Sequence, residues 1–201
     1  MSENKYDDSF LTEIWIHFSS DREMTILRDR DPVNPRLANT YASRFLTIPN
    51  AVVTGDEILT EEELTEAAEE ARKNGGNVVP VYFSRQTELF LSVEQQDGFS
   101  QLGILVYLDS LSQAQVDESV RQEIKDLTNY LNGRVYSVDL DTSDNCLRET
   151  VESAHDIYAD DEIQAAEYAA ELLELTQKEI DELKEHCEVW KAKNRQLNLG
   201  R

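Results

Sequence analysis

One arrangement, met three times, constrains this chain more than any other: two short stretches of alternating apolar and polar residues stand close together across a few turn formers. In "FLTEIWIHF" (10–18), Ile14, Ile16 and Phe18 share one face while Trp15 and His17 share the other. "EMTILRD" (23–29) alternates likewise, and "SSDRE" supplies the turn between them. "NVVPVYFSR" (77–85) and "ELFLSVEQ" (88–95) form a second such pair, "RVYSVDLD" (134–141) and "CLRETVESAHDIY" (146–158) a third. Pairs of this kind close locally as hairpins, which favours antiparallel sheet. "YASRFLTIP" (41–49) reads as a further strand, after the prolines of "DPVNPR". "QLGILVYLD" (101–109) is a nearly continuous apolar run, the pattern of a strand buried on both faces.

Helical spacing separates these strands. Thr60 and Glu63 make a capping-box pattern. Leu64, Ala67, Ala68 and Ala71 then recur on one helical face until Gly75 and Gly76 stop the helix. Val116, Val120, Ile124, Leu127 and Leu131 trace a second helix, closing at Asn132–Gly133. No dinucleotide or P-loop glycine pattern follows any strand. The expected fold is α+β: mainly antiparallel sheet built from hairpins, with inserted helices and a long C-terminal helix. The expected organisation is a flexible N-terminus (1–9), one α+β domain (10–160) and a helical extension (161–201).

In that extension Ala166, Ala169, Leu173, Thr176, Ile180, Leu183, Cys187, Trp190, Asn194 and Leu197 recur in steps of three and four, a heptad seam. An unbroken helix over 161–198 would be roughly 57 Å long. A body of about 160 residues is only roughly 40 Å across. On that reading Leu173, Ile180, Leu183, Cys187, Trp190 and Leu197 serve self-association. The alternative is a break near Thr176–Gln177 that folds the second half back on the core.

Charge bounds the partners. Asp and Glu total 41 against 19 Lys and Arg, a net of −22. Such a chain repels nucleic acid and anionic membrane, and attracts basic proteins. Solubility or adaptation to salt would account for acidity equally well. Residues 54–71 hold eight acids and no base; residues 139–162 hold nine acids against Arg148. Candidate partner-binding acids are Asp56, Glu57, Glu61, Glu62, Glu66, Glu69 and Glu70, with Asp139, Asp141 and Asp144. Glutamates in the first turn of a helix also suit its dipole, a purely structural motive.

The tested chemistries fail. Counted from Asp139, a calcium loop would need glycine where Asp144 stands and glutamate where Thr150 stands. His17, His155 and His186 show no zinc spacing, and Cys146 and Cys187 are isolated, as in a reducing compartment. No metal, cofactor or catalytic residue is expected. No leader-like opening and no membrane-length apolar run occurs, so a cytoplasmic protein is expected.

Several segments together resemble a family of small, acidic, uncharacterised accessory proteins of phages and plasmids. They are "DRDPVNPR" (29–36), "GDE" (55–57), "VPVYF" (79–83), "QLGIL" (101–105), "YLNGRVY" (130–136) and, in part, "ESAHDIYADD" (152–161). In the last, the family's Cys-Trp-Gly is replaced by Ala154-His155-Asp156. The resemblance carries no catalytic residue across. It implies an α+β accessory protein of a mobile element, acting in the host cytoplasm without a cofactor. The reading that joins this context to the charge is a non-enzymatic inhibitor of a host nucleic-acid-handling defence system, of restriction or CRISPR type, acting by DNA mimicry on a basic protein or complex. The alternative is a structural or adaptor protein that self-assembles into a homo-oligomer through its C-terminal helix. A carboxylate hydrolase is the third.

Overall fold

The computed structural model describes residues 14–38, 41–49, 51–53, 55–108, 111–144 and 147–199, without the side chains of 38, 143, 144, 147, 148 and 194–199. The expected flexible segment 1–9 lies outside them. The fold is α+β, as expected, and contacts divide the chain into two units, Met1–Pro32 with Gly133–Arg201, and Val33–Asn132. The cause is strand pairing. Strand β2 (Arg22–Arg28) runs antiparallel to β8 (Val135–Asp144) over seven residue pairs, Arg22 opposite Thr142 through Arg28 opposite Tyr136. The segment between them folds as an insertion.

The first unit is a four-stranded antiparallel sheet in the order β1 (Ile14–His17), β2, β8, β9 (Leu147–Tyr158). Alternation places Ile16, Met24, Ile26, Val138 and Leu140 in one core with α4 (Glu162–Leu172) and α5 (Gln177–Leu199). Small residues of α4, Ala165, Ala166 and Ala169, are fully buried there and allow close approach of helix to sheet. Asp156 holds φ at 54°, where the β8–β9 register shifts between Tyr136 and Val138. The "DLDTSD" stretch of residues 139–144 therefore belongs to a long hairpin arm, not to an ion-binding loop.

The second unit is a five-stranded sheet, β4 (Glu57–Ile58), β3 (Ser43–Thr47), β7 (Ser100–Tyr107), β5 (Asn77–Arg85), β6 (Leu89–Ser92), with only β3–β4 parallel. β7 is central, as its unbroken apolar run requires. Ile104 and Val106 meet α2 (Glu61–Lys73), while Leu105 and Tyr107 cluster with residues of α3 (Gln113–Leu131). Gly103 permits the β3–β7 pairing, because a Cβ there would stand 2.1 Å from the Leu46 carbonyl oxygen. Asn132 ends α3, and its side chain both accepts from the Leu89 N–H and donates to the Leu89 carbonyl, each at 2.9 Å, fixing β6.

Candidate functional site

Helix α2 begins as its capping box dictates. The Thr60 hydroxyl accepts from the Glu63 N–H, and the Glu63 carboxylate accepts from the Thr60 N–H at 2.8 Å. That backbone bond, more than the hydroxyl's, holds the Glu63 carboxyl below its ordinary range. Leu64, Ala68 and Ala71 are buried. At about 100° per residue, Glu62, Glu66, Glu69 and Glu70 occupy a sector of about 100° on the opposite side. With Glu61, all five are exposed. The four of the sector span about 12 Å of helix, on average about 4 Å apart along the axis, while Glu61 lies about 100° away from Glu62, on the side of Ala68. One strand of duplex DNA carries its charges about 3.4 Å apart, a similar interval. Among the described residues Glu69 pairs with a base on the helix, Lys73 at 3.8 Å.

Asp56, Glu57, Asp139 and Asp141 are engaged or buried elsewhere. Asp56 accepts from Arg36 at 2.5 Å and from the Phe45 N–H at 2.8 Å. Glu57 pairs with Arg44 at 2.7 Å. Asp139 accepts from the Ser153 hydroxyl at 2.7 Å, and Asp141 is buried. Asp144's side chain lies outside the described residues. The two acidic runs also fall in different units. Among the described acids the α2 glutamates are thus the ones that stand together on an exposed helix face, whereas Asp56 and Glu57 meet arginine or backbone donors and Asp139 a serine hydroxyl.

Sequence reading missed a buried charge cluster in the second unit. Arg36, from the short helix α1 (Pro35–Ala38), donates to Glu123 at 2.9 Å, to the Ser43 hydroxyl at 3.0 Å, to the Ser43 carbonyl at 2.7 Å and to Asp56. The Tyr107 and Ser43 hydroxyls donate to the same Glu123. Burial pushes the Glu123 carboxyl upward against the pull of these donors. It pushes the Tyr107 phenol upward too, with the Glu123 charge adding to it. A carboxyl raised in this way can serve as a proton donor. Here Glu123 is 1% and Arg36 6% exposed, and their bonds close on one another. The arrangement ties α1, β3, the 55–57 segment and α3 together. Its signal was present in the family-like motifs: Arg36 ends "DRDPVNPR" and Asp56 stands in "GDE". The "GDE" glycine is steric, since a Cβ on Gly55 would lie 2.5 Å from the Phe45 carbonyl oxygen.

The helical extension is broken, contrary to the length argument for self-association. Leu173 is extended, and Thr176 starts α5 by a further capping box, its N–H donating to Glu179 at 2.8 Å and its hydroxyl accepting from the Glu179 N–H. Glu179 is further held by Ser20 and by Arg22 at 3.1 Å. Burial would raise its carboxyl, but these bonds together outweigh it and keep the carboxyl low. Lys191 reaches back to Glu167 of α4 at 2.6 Å. Leu173, Leu183 and Cys187 are consequently buried in the first unit's own core, and Trp190 packs against it. Ile180 is half-buried, and Leu197's side chain lies outside the described residues. Burial pushes the Cys187 thiol up to about 11.

Among the described residues no group of three or more His, Cys, Asp or Glu could hold a metal ion, and no helix is long and apolar enough to cross a membrane. Neither a family model, nor a curated protein, nor a solved structure matches the chain.

Proposed function

We propose that this chain is a non-enzymatic binding protein of a phage or plasmid that acts in the host cytoplasm. It occupies the basic groove of a nucleic-acid-handling defence protein with the glutamate stripe of α2 standing in for one strand of DNA. The observation that carries the reading is the stripe itself: four exposed carboxylates opposite the buried face, on average about 4 Å apart along the helix axis. A groove built for phosphates would exchange counterions for this stripe as it does for DNA, so binding weakens steeply with salt. The mobile-element context comes from the resemblance. The charge reading does not depend on it.

The test is capture of partners from a host lysate at low and high salt, with wild type and with the Glu62→Lys, Glu66→Lys, Glu69→Lys triple variant. Because all three side chains are exposed, the variant keeps its far-UV circular dichroism and melting temperature. Wild type retains a DNA- or RNA-binding protein and competes with duplex DNA for it, whereas the variant does neither. Undiminished capture by the variant, or capture of no nucleic-acid-binding protein by wild type, overturns the reading.

A further inference from the structure

The width of the second unit's sheet exceeds what α2 can cover. Five strands span roughly 19 Å between the outer two. One helix with its side chains covers only about 10–12 Å. Helix α2 sits over Leu46, Ile104 and Val106. Toward β5 and β6 the same face stays open, as a groove of about 300 Å³ floored and walled by Leu64, Ala68, Val78, Pro80, Tyr82 and Ile104. It continues past Thr65 and Gln101 into a second depression of about 350 Å³ that ends at Glu61. Beyond Tyr82, Phe90 is 39% exposed; it shares this face, because Ser84 stands opposite Phe90 and Tyr82 opposite Ser92.

Charge identifies the occupant. One wall of the groove is α2, whose exposed side is the glutamate stripe. The rim is acidic at Glu61 and carries one cation, Arg72, at the far end. We infer that the groove takes the apolar side chain of a basic amphipathic segment in a partner protein. The segment lies along α2 with its cations on the glutamates and one leucine-like or aromatic residue lowered between Leu64 and Tyr82. The inference rests on the proposed function and adds what the stripe lacks. Carboxylates alone attract any basic chain, whereas a pocket beside them selects one with an anchor at the correct offset.

The experiment uses two synthetic 14-residue peptides with lysines at identical positions along one helical face. One has leucines and the other alanines on the opposite face, and both are titrated calorimetrically into the full chain at low and moderate salt. Wild type binds the leucine peptide at least about tenfold more tightly, the effect of burying one such side chain. Thr65→Trp and Gln101→Trp fill the groove from exposed positions. Each removes the preference and leaves affinity for the alanine peptide unchanged. The lysine triple variant weakens both peptides alike. Equal affinities in wild type, or a preference surviving in both tryptophan variants, overturn the groove while leaving the charge reading standing. If neither peptide binds, both readings fall. A wild-type dimer that Thr65→Trp converts to monomer in sedimentation gives the groove to a second copy and overturns the proposal.

Discussion

Replacing Arg36 by leucine should expose the cost of the buried cluster. The substitution removes the guanidinium from Glu123, whose side chain is 1% exposed, and leaves that carboxylate only the Ser43 and Tyr107 hydroxyls. Stripping one member from a buried pair costs about 3–5 kcal/mol. The carboxyl can escape by taking a proton. From its ordinary value of 4.5, doing so at pH 7 costs about 3.4 kcal/mol at about 1.36 kcal/mol per pH unit. The same escape at pH 5 costs only about 0.7 kcal/mol. The deficit relative to wild type should therefore shrink between pH 7 and pH 5, by at most about 2.7 kcal/mol, because the wild-type carboxyl is itself held above its ordinary value. The sign follows from a raised folded value: the folded variant holds a proton that the unfolded chain has released, so its stability falls as pH rises above 4.5. Urea unfolding followed by far-UV circular dichroism is the appropriate assay. The two tryptophans, Trp15 and Trp190, both lie in the other unit and do not probe the surroundings of the cluster directly. Adding Glu123→Gln should abolish the pH dependence. A deficit below about 1 kcal/mol, or one equal at both pH values, would refute the view that Glu123 depends on Arg36 for its charge.

Glu179→Gln should give the opposite trend in the first unit. Its carboxyl is held low by Ser20, Thr176 and Arg22, so its contribution is full above pH 4.5 and disappears as pH falls through the folded value. Tryptophan fluorescence in urea should show a loss of about 1–3 kcal/mol at pH 7 that closes on acidification; a gap that widens in acid would contradict it. Gly103→Ala should cost at least about 3 kcal/mol or abolish soluble expression, because its Cβ meets the Leu46 carbonyl oxygen. A variant with wild-type melting temperature would show that β3 and β7 are less closely paired.

Much of the local structure could be read directly. The hairpin pairs, the Thr60–Glu63 cap and the two-faced β7 run are decided by side chains a few residues apart. The Thr176–Glu179 cap was equally local, but the three-and-four spacing of apolar residues runs through it without interruption. A heptad pattern records which residues share a face, not whether the helix axis continues. The glutamate stripe was legible because exposed helix positions keep their charges free. Asp56, Asp139 and Asp141 were not, because strand neighbours remote in sequence donate to them or bury them. Ser153 lies 14 residues from Asp139, and Glu123 lies 87 residues from the Arg36 it shares with Asp56.

From its sequence alone this protein has its charge, its element types and its helix starts, since each depends on interactions within about one turn or one hairpin. Only tertiary structure decides that β2 seeks β8 across the insertion, that Arg36 is enclosed rather than solvated, and that α5 turns back onto the core. Those outcomes depend on which distant surfaces become buried together. Burial is a property of the assembled sheet and helices, and no single segment carries it.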